Sequence, residues 1–106
     1  MNEYFPVDCS ATLQRIGLLA KSARLKQGIR QRDVVTRLGV SEKVIRRIER
    51  GDPSVSVRSL MLVLWNLGVM EKIFQSFEES PTSFSALREE ISGRRVRPRR
   101  SKVEDF

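Results

Sequence analysis

The stretch from Ile29 to Gly51, IRQRDVVTRLGVSEKVIRRIERG, reads as two short helices joined by a glycine turn. The first spans Gln31 to Leu38, where Val34, Val35 and Leu38 recur at helical spacing. Gly39 ends it, because a residue without a Cβ takes the left-handed backbone of a tight exit. Val40 fills the corner, and Ser41 offers a hydroxyl to the free backbone N–H groups of a second helix running to about Arg50. The inward residues of that second helix are Val44 or Ile45 with Ile48. Its outward residues are Glu42, Lys43, Arg46 and Arg47.

Around this segment, composition narrows the classes of function. A chain of 106 residues, 40% apolar, has enough for one small core and too little for two. The formal net charge of +7 points to an anionic partner. With no histidine and one cysteine, the sequence cannot assemble a Cys/His zinc site, a Ser-His-Asp relay or an internal disulfide. No catalytic residue, metal or cofactor is implied, and an enzyme reading has almost no support. A lone Cys9 suits a reducing compartment. No apolar run resembles a signal peptide or approaches the ~20 residues of a membrane span. The expected location is cytoplasmic.

The cations are unevenly placed. Residues 10–58 hold twelve Lys or Arg against four acids, net +8, whereas residues 69–92 hold two against five, net −3. A second basic block, RRVRPRRSK at 94–102, carries five arginines and one lysine. Basic surfaces bind phosphate through counterion release, without sequence preference of their own.

Along the chain, residues 1–9 form an N-terminal arm, either mobile or docked through Tyr4, Phe5 and Val7. A first helix from about Ser10 to Gln27 puts Leu13, Ile16, Gly17, Ala20 and Ala23 on one stripe, and Gly28 stops it. Past Gly51, the Asp52-Pro53 step makes a turn. Ser56 or Val55 then starts a further helix that ends before Gly68, with Leu60, Val63, Leu64 and Leu67 inward. Met61, Leu62 and Trp65 fall on the other side, and an amphipathic helix with a second apolar face calls for a second covering surface. A fifth helix, Val69 to about Phe77, carries Met70, Ile73, Phe74 and Phe77 and offers partial cover. Beyond a break at Pro81, Ser83 caps a short helix through Ile91, with Phe84, Leu87 and Ile91 on one side and Glu89-Glu90 on the other. Gly93 ends it, and the arginine-rich tail lacks the apolar content to fold alone. The expected organisation is an arm at 1–9, a helical domain at 10–78, a C-terminal helix at 79–92 and a flexible tail at 93–106.

The two central helices form a helix-turn-helix with cations on the outer face of its second member. The segment resembles the lambda-repressor-like, or XRE-type, helix-turn-helix, through Ile29-Arg30-Gln31, Gly39-Val40-Ser41, and Ile45, Ile48, Glu49 and Gly51. Upstream, Ile16-Gly17, Arg24 and Gly28 resemble the family's first helix. Arg30 departs from the usual capping threonine, which weakens a cap, and Val35 from the usual alanine at the helix crossing. The phrase ERGDPSVSVRSLMLVLWNLG, residues 49–68, resembles HipB-type antitoxins and related regulators, including the HipB component of HipBST-like systems.

The resemblance implies an all-α fold, a lambda-repressor-like five-helix domain with a short C-terminal helix and a basic tail. It implies a homodimeric repressor that binds an inverted-repeat operator in double-stranded DNA and holds a HipA-like kinase toxin. Glu42, Lys43, Val44 and Arg47 would read bases, since Lys and Arg donate to guanine, Glu accepts from cytosine, and Val touches a thymine methyl. Near a helix N-terminus, Glu42 is also favoured by the macrodipole without DNA. Gln31, Arg30, Arg32, Ser41 and Arg46 would meet phosphate. Arg24 would pair internally with Glu49. Met61, Leu62 and Trp65 would form a partner or dimer surface, with Trp65 covered by the fifth helix, a second protomer or a toxin. The tail's three readings, phosphate or minor-groove contact, toxin binding and solubilising linker, stay open. Two rival functions also stay open: a stand-alone repressor without a toxin, and a protein-interaction adaptor whose helix-turn-helix does not bind DNA.

Overall fold

The structure, a computed structural model, describes residues 4–75 and 81–94. It is all-helical over these residues. Residues 1–3, Phe77 and the basic block beyond Arg94 lie outside the described residues. The chain divides into two compact units, Met1–Gln75 and Ser76–Phe106.

In the first unit, α1 spans Val7–Lys26, α2 Gln31–Leu38, α3 Glu42–Arg50, α4 Val57–Leu67 and α5 Met70–Ile73. Helix α1 begins at Val7, ahead of the Ser10 expected from the sequence. Pro6 stands at its N-cap with φ −58°, and its carbonyl accepts from Ser10 N at 3.0 Å. Proline arrives with helical φ already set, and Asp8 in the first turn complements the macrodipole, so the helix extends into the expected arm. Ser56, not Val55, caps α4, its Oγ accepting from Ser59 N at 3.1 Å. Helix α5 starts one residue after the expected Val69 and is interrupted after a single turn, because the backbone leaves helical geometry at Phe74, with φ −107° and ψ 33°; the expected end at Phe77 lies outside the described residues.

The core sits where α1, α2, α3 and α4 meet. Ile45, Leu64, Val34 and Val63 are fully buried, with Ala20, Ile48 and Leu67 around them. Ile45 and Ile48 are therefore the inward pair of α3, and Val44 packs only partly against the core. Val34, rather than Val35, fills the interior beneath α2. On α4 the inward stripe is Val63, Leu64 and Leu67, with Leu60 at its edge. Leu62, expected on the opposite side with Met61 and Trp65, instead packs partly against the core. Helix α4 touches α1, α2, α3 and α5, so its buried sector is wider than one stripe and reaches Leu62.

Helix α1 crosses α3 at Gly17. A Cβ built there would lie 2.5 Å from the Ile48 carbonyl oxygen and 2.6 Å from that of Glu49, so only glycine permits the crossing. Gly51, which ends α3 with φ +79°, is pressed against Gln14 in the same way, its virtual Cβ being 2.7 Å from the Gln14 Cα.

The second unit contains α6, Pro81–Gly93. It starts ahead of Ser83 because proline tolerates the first helical position, where its missing N–H would be unpaired anyway. Leu87 and Ile91 are exposed on it, and Glu90 pairs with Arg94 at 3.6 Å.

Candidate nucleic-acid interface

Helix α3 is fixed from within by Ile45 and Ile48, and this leaves its opposite face outward. Ser41 caps it, accepting from Val44 N at 3.2 Å through Oγ. Glu42, Lys43 and Arg46 are exposed, and Arg47 is half-buried. Arg46 Nη1 lies 3.5 Å from Glu42 Oε2, an exposed pair one helical turn apart. Lys43 shows no ion pair among the described residues. The side chains named from the sequence as base readers thus share one helix surface, with Val44 set lower toward the core.

A buried polar network lies at the last turn of α3. Arg24 Nε donates to Glu49 Oε2 at 2.6 Å and Nη2 to Glu49 Oε1 at 3.1 Å, while Nη1 donates to the Ile29 carbonyl at 3.0 Å. The two side chains are 9% and 6% exposed. Such a bidentate, charge-assisted pair ties the end of α1 to the end of α3. Gln31 Nε2 donates to the same Glu49 Oε1 at 3.1 Å, which fixes the start of α2 beside the last turn of α3. The Gln31 side-chain amide nitrogen is therefore turned inward, which leaves the backbone N–H groups of the first α2 turn as the amides at the outer end of the helix.

The sequence did not single out Asp33, and it named Asp52 only for its turn with Pro53. Asp33 Oδ2 accepts from Arg30 N at 2.8 Å and from Arg30 Nε at 3.3 Å, and Oδ1 accepts from Arg30 Nη2 at 3.3 Å. Asp33 thereby caps α2 from its third residue, offsetting the threonine that Arg30 replaces. The Arg30 side chain, above all, holds the Asp33 carboxyl below its ordinary range, aided by the hydrogen bond from the Arg30 backbone. Asp52 Oδ1 accepts from Ser54 N at 2.8 Å and from Ser54 Oγ at 2.7 Å, and its other oxygen lies 3.8 Å from Arg50 Nη2. The Ser54 hydrogen bonds, side chain first, lower its pKa. Both had a sequence signal: an acid three residues after a cap position, and Asp-x-Ser turn chemistry.

The arrangement is two helices joined at Gly39, φ +71°, with Val40 buried in the corner and a cationic second helix facing out. The helix-turn-helix family matches residues 21–69. Over that span, a little under half of the chain, the protein is similar to that family. The match supports a DNA-binding transcription regulator of the XRE type. No curated protein and no solved structure matches the chain.

Away from α3, the helix-turn-helix domain exposes an apolar ridge on α4. Val57 is 75% and Trp65 64% exposed, and half-buried Met61 lies between them at four-residue spacing. Helix α5 leaves Trp65 uncovered, since its apolar residues Met70 and Ile73, with Phe74, pack against the core. The ridge continues at Val57 into an open groove lined by Phe5, Cys9, Leu13, Val55 and Leu60. Among the described residues no helix is long and apolar enough to cross a membrane, and no cluster of metal-ligating side chains occurs.

Proposed function

We propose that the protein is a sequence-specific repressor that binds an inverted-repeat operator as a homodimer and serves as the antitoxin of a HipA-type kinase toxin operon, acting on DNA in the cytoplasm. The observation that carries the DNA reading is the outward face of α3, where Glu42, Lys43, Arg46 and Arg47 stand on a helix anchored by buried Ile45 and Ile48. A helix so presented enters the major groove with its N-terminal end leading. Glu42, Lys43, Val44 and Arg47 then address base edges. Arg32, Ser41 and Arg46, with the amides at Gln31, address phosphate, whereas Arg30, named with them from the sequence, is engaged by Asp33. Two copies related by a two-fold axis present their α3 helices about 34 Å apart, one turn of DNA.

The antitoxin role rests on the likeness of residues 49–68 to HipB-type regulators. The exposed α4 ridge of Met61 and Trp65 is in keeping with it, because an uncovered tryptophan suits the centre of a protein interface. Footprinting on the DNA upstream of the gene, with and without the products of neighbouring genes, tests both parts. Protection of a two-fold symmetric site supports the repressor, and co-purification with an adjacent kinase supports the antitoxin. Absence of protection at low salt removes the repressor reading.

A further inference from the structure

The N-terminus of α2 already holds an anion of the protein's own. Asp33 takes up the backbone N–H of Arg30 and two of its guanidinium nitrogens, all within 3.3 Å. These are the groups a DNA phosphate would use on the first helix of a helix-turn-helix, the one that crosses the sugar-phosphate backbone. The hydrogen bond from Gln31 to Glu49 places this helix end beside the recognition helix.

We propose that Asp33 is an internal competitor for phosphate that cancels Arg30 in sequence-independent binding. The inference rests on the DNA-binding reading above. A carboxylate at this position opposes an approaching phosphate and occupies its donors, so the cost falls on every duplex alike. Operator binding offsets that cost with base contacts from α3, whereas random DNA has none to offer. Asp33 therefore lowers operator and random-duplex affinity by a common factor, and Arg30 contributes little to counterion release while Asp33 is ionised. The ionised state is secure at neutral pH, because Arg30 holds the carboxyl below its ordinary value.

The test uses the full chain and a labelled random duplex of about two helical turns, titrated by fluorescence anisotropy across a potassium chloride series. Asp33→Asn keeps an oxygen for the Arg30 N–H and removes the charge. It should tighten random-duplex binding about three- to ten-fold and steepen the salt dependence by about one counterion. Arg30→Gln should weaken wild type less than two-fold but abolish the gain in the Asp33→Asn background. Glu71→Gln, an equal change of net charge at an exposed site on α5, should leave affinity within two-fold. The proposal is overturned if folded Asp33→Asn binds no tighter than wild type, if Glu71→Gln tightens binding equally, or if Arg30→Gln weakens both backgrounds alike. Wild type and variants all failing to bind any duplex at low salt would overturn it together with the DNA reading, whereas normal wild-type binding with an inert Asp33→Asn overturns it alone.

Discussion

Gly17 of α1 and Ile48 of α3 meet backbone to backbone: a Cβ on Gly17 would sit 2.5 Å from the Ile48 carbonyl oxygen. The obstacle is main chain, so no rotamer change relieves it. Gly17→Ala should destabilise the domain by about 1–3 kcal/mol, the usual range for overpacking. Thermal unfolding should show a midpoint lowered by about 4 °C or more. An unchanged midpoint would mean that α1 slides along α3 at little cost.

Removing one partner of the Arg24–Glu49 pair strands the other in the interior, since both side chains are less than a tenth exposed. Glu49→Ala should cost about 3–5 kcal/mol, whereas exchanging both residues for apolar ones of similar volume should cost much less. Denaturant titration of the single and double variants measures the difference.

Arg47→Ala should weaken operator binding by about 1–3 kcal/mol if its guanidinium reads a base, and should relax preference at one operator position. Arg32→Ala should instead weaken all duplexes evenly and reduce the salt dependence. Competition titrations with single-base operator variants separate the two patterns.

Asp33 and Asp52 both ionise below the ordinary value of 3.8 in the folded chain, Asp33 mainly through the Arg30 side chain and Asp52 mainly through the Ser54 hydroxyl. A folded-state pKa below the unfolded one gives stability that is complete above the unfolded value and is lost as pH falls through the folded one. The thermal midpoint should therefore decline below about pH 4. Asp33→Asn and Asp52→Asn should each flatten that decline, read as a shallower acid limb in midpoint against pH.

Trp65, 64% exposed in the single chain, should emit at long wavelength and be quenched readily by iodide at low protein concentration. Dimerisation or kinase binding through α4 should shift the emission to the blue. Trp65→Ala should leave the unfolding midpoint nearly unchanged while weakening the association.

The helix-turn-helix was legible because three local signals agree between Gln31 and Arg50: apolar spacing, a glycine exit and a serine cap. The stripe of α4 was legible for the same reason, and Leu62 escaped it because periodicity finds the centre of a buried face but not its width. The start of α1 was misplaced because Val7, Asp8 and Cys9 carry no apolar rhythm, and the helix there depends on Pro6 and Asp8. The interruption of α5 at Phe74 was unreadable, because Met70, Ile73 and Phe74 keep an apolar rhythm across it. Arg24 and Glu49 are twenty-five residues apart, so no local pattern joins them, and only the family resemblance named the pair. Asp33 is hidden in a charge count because it cancels Arg30, and its capping role depends on where α2 begins.

The division of labour on α3 has a practical consequence. Ile45 and Ile48 supply its anchorage, while Glu42, Lys43 and Arg46 project from it without supporting the interior. The outer positions can be rewritten as a set, leaving the glycine joints and the aliphatic pair intact, and the scaffold should accept a new message as a lock body accepts a recut key.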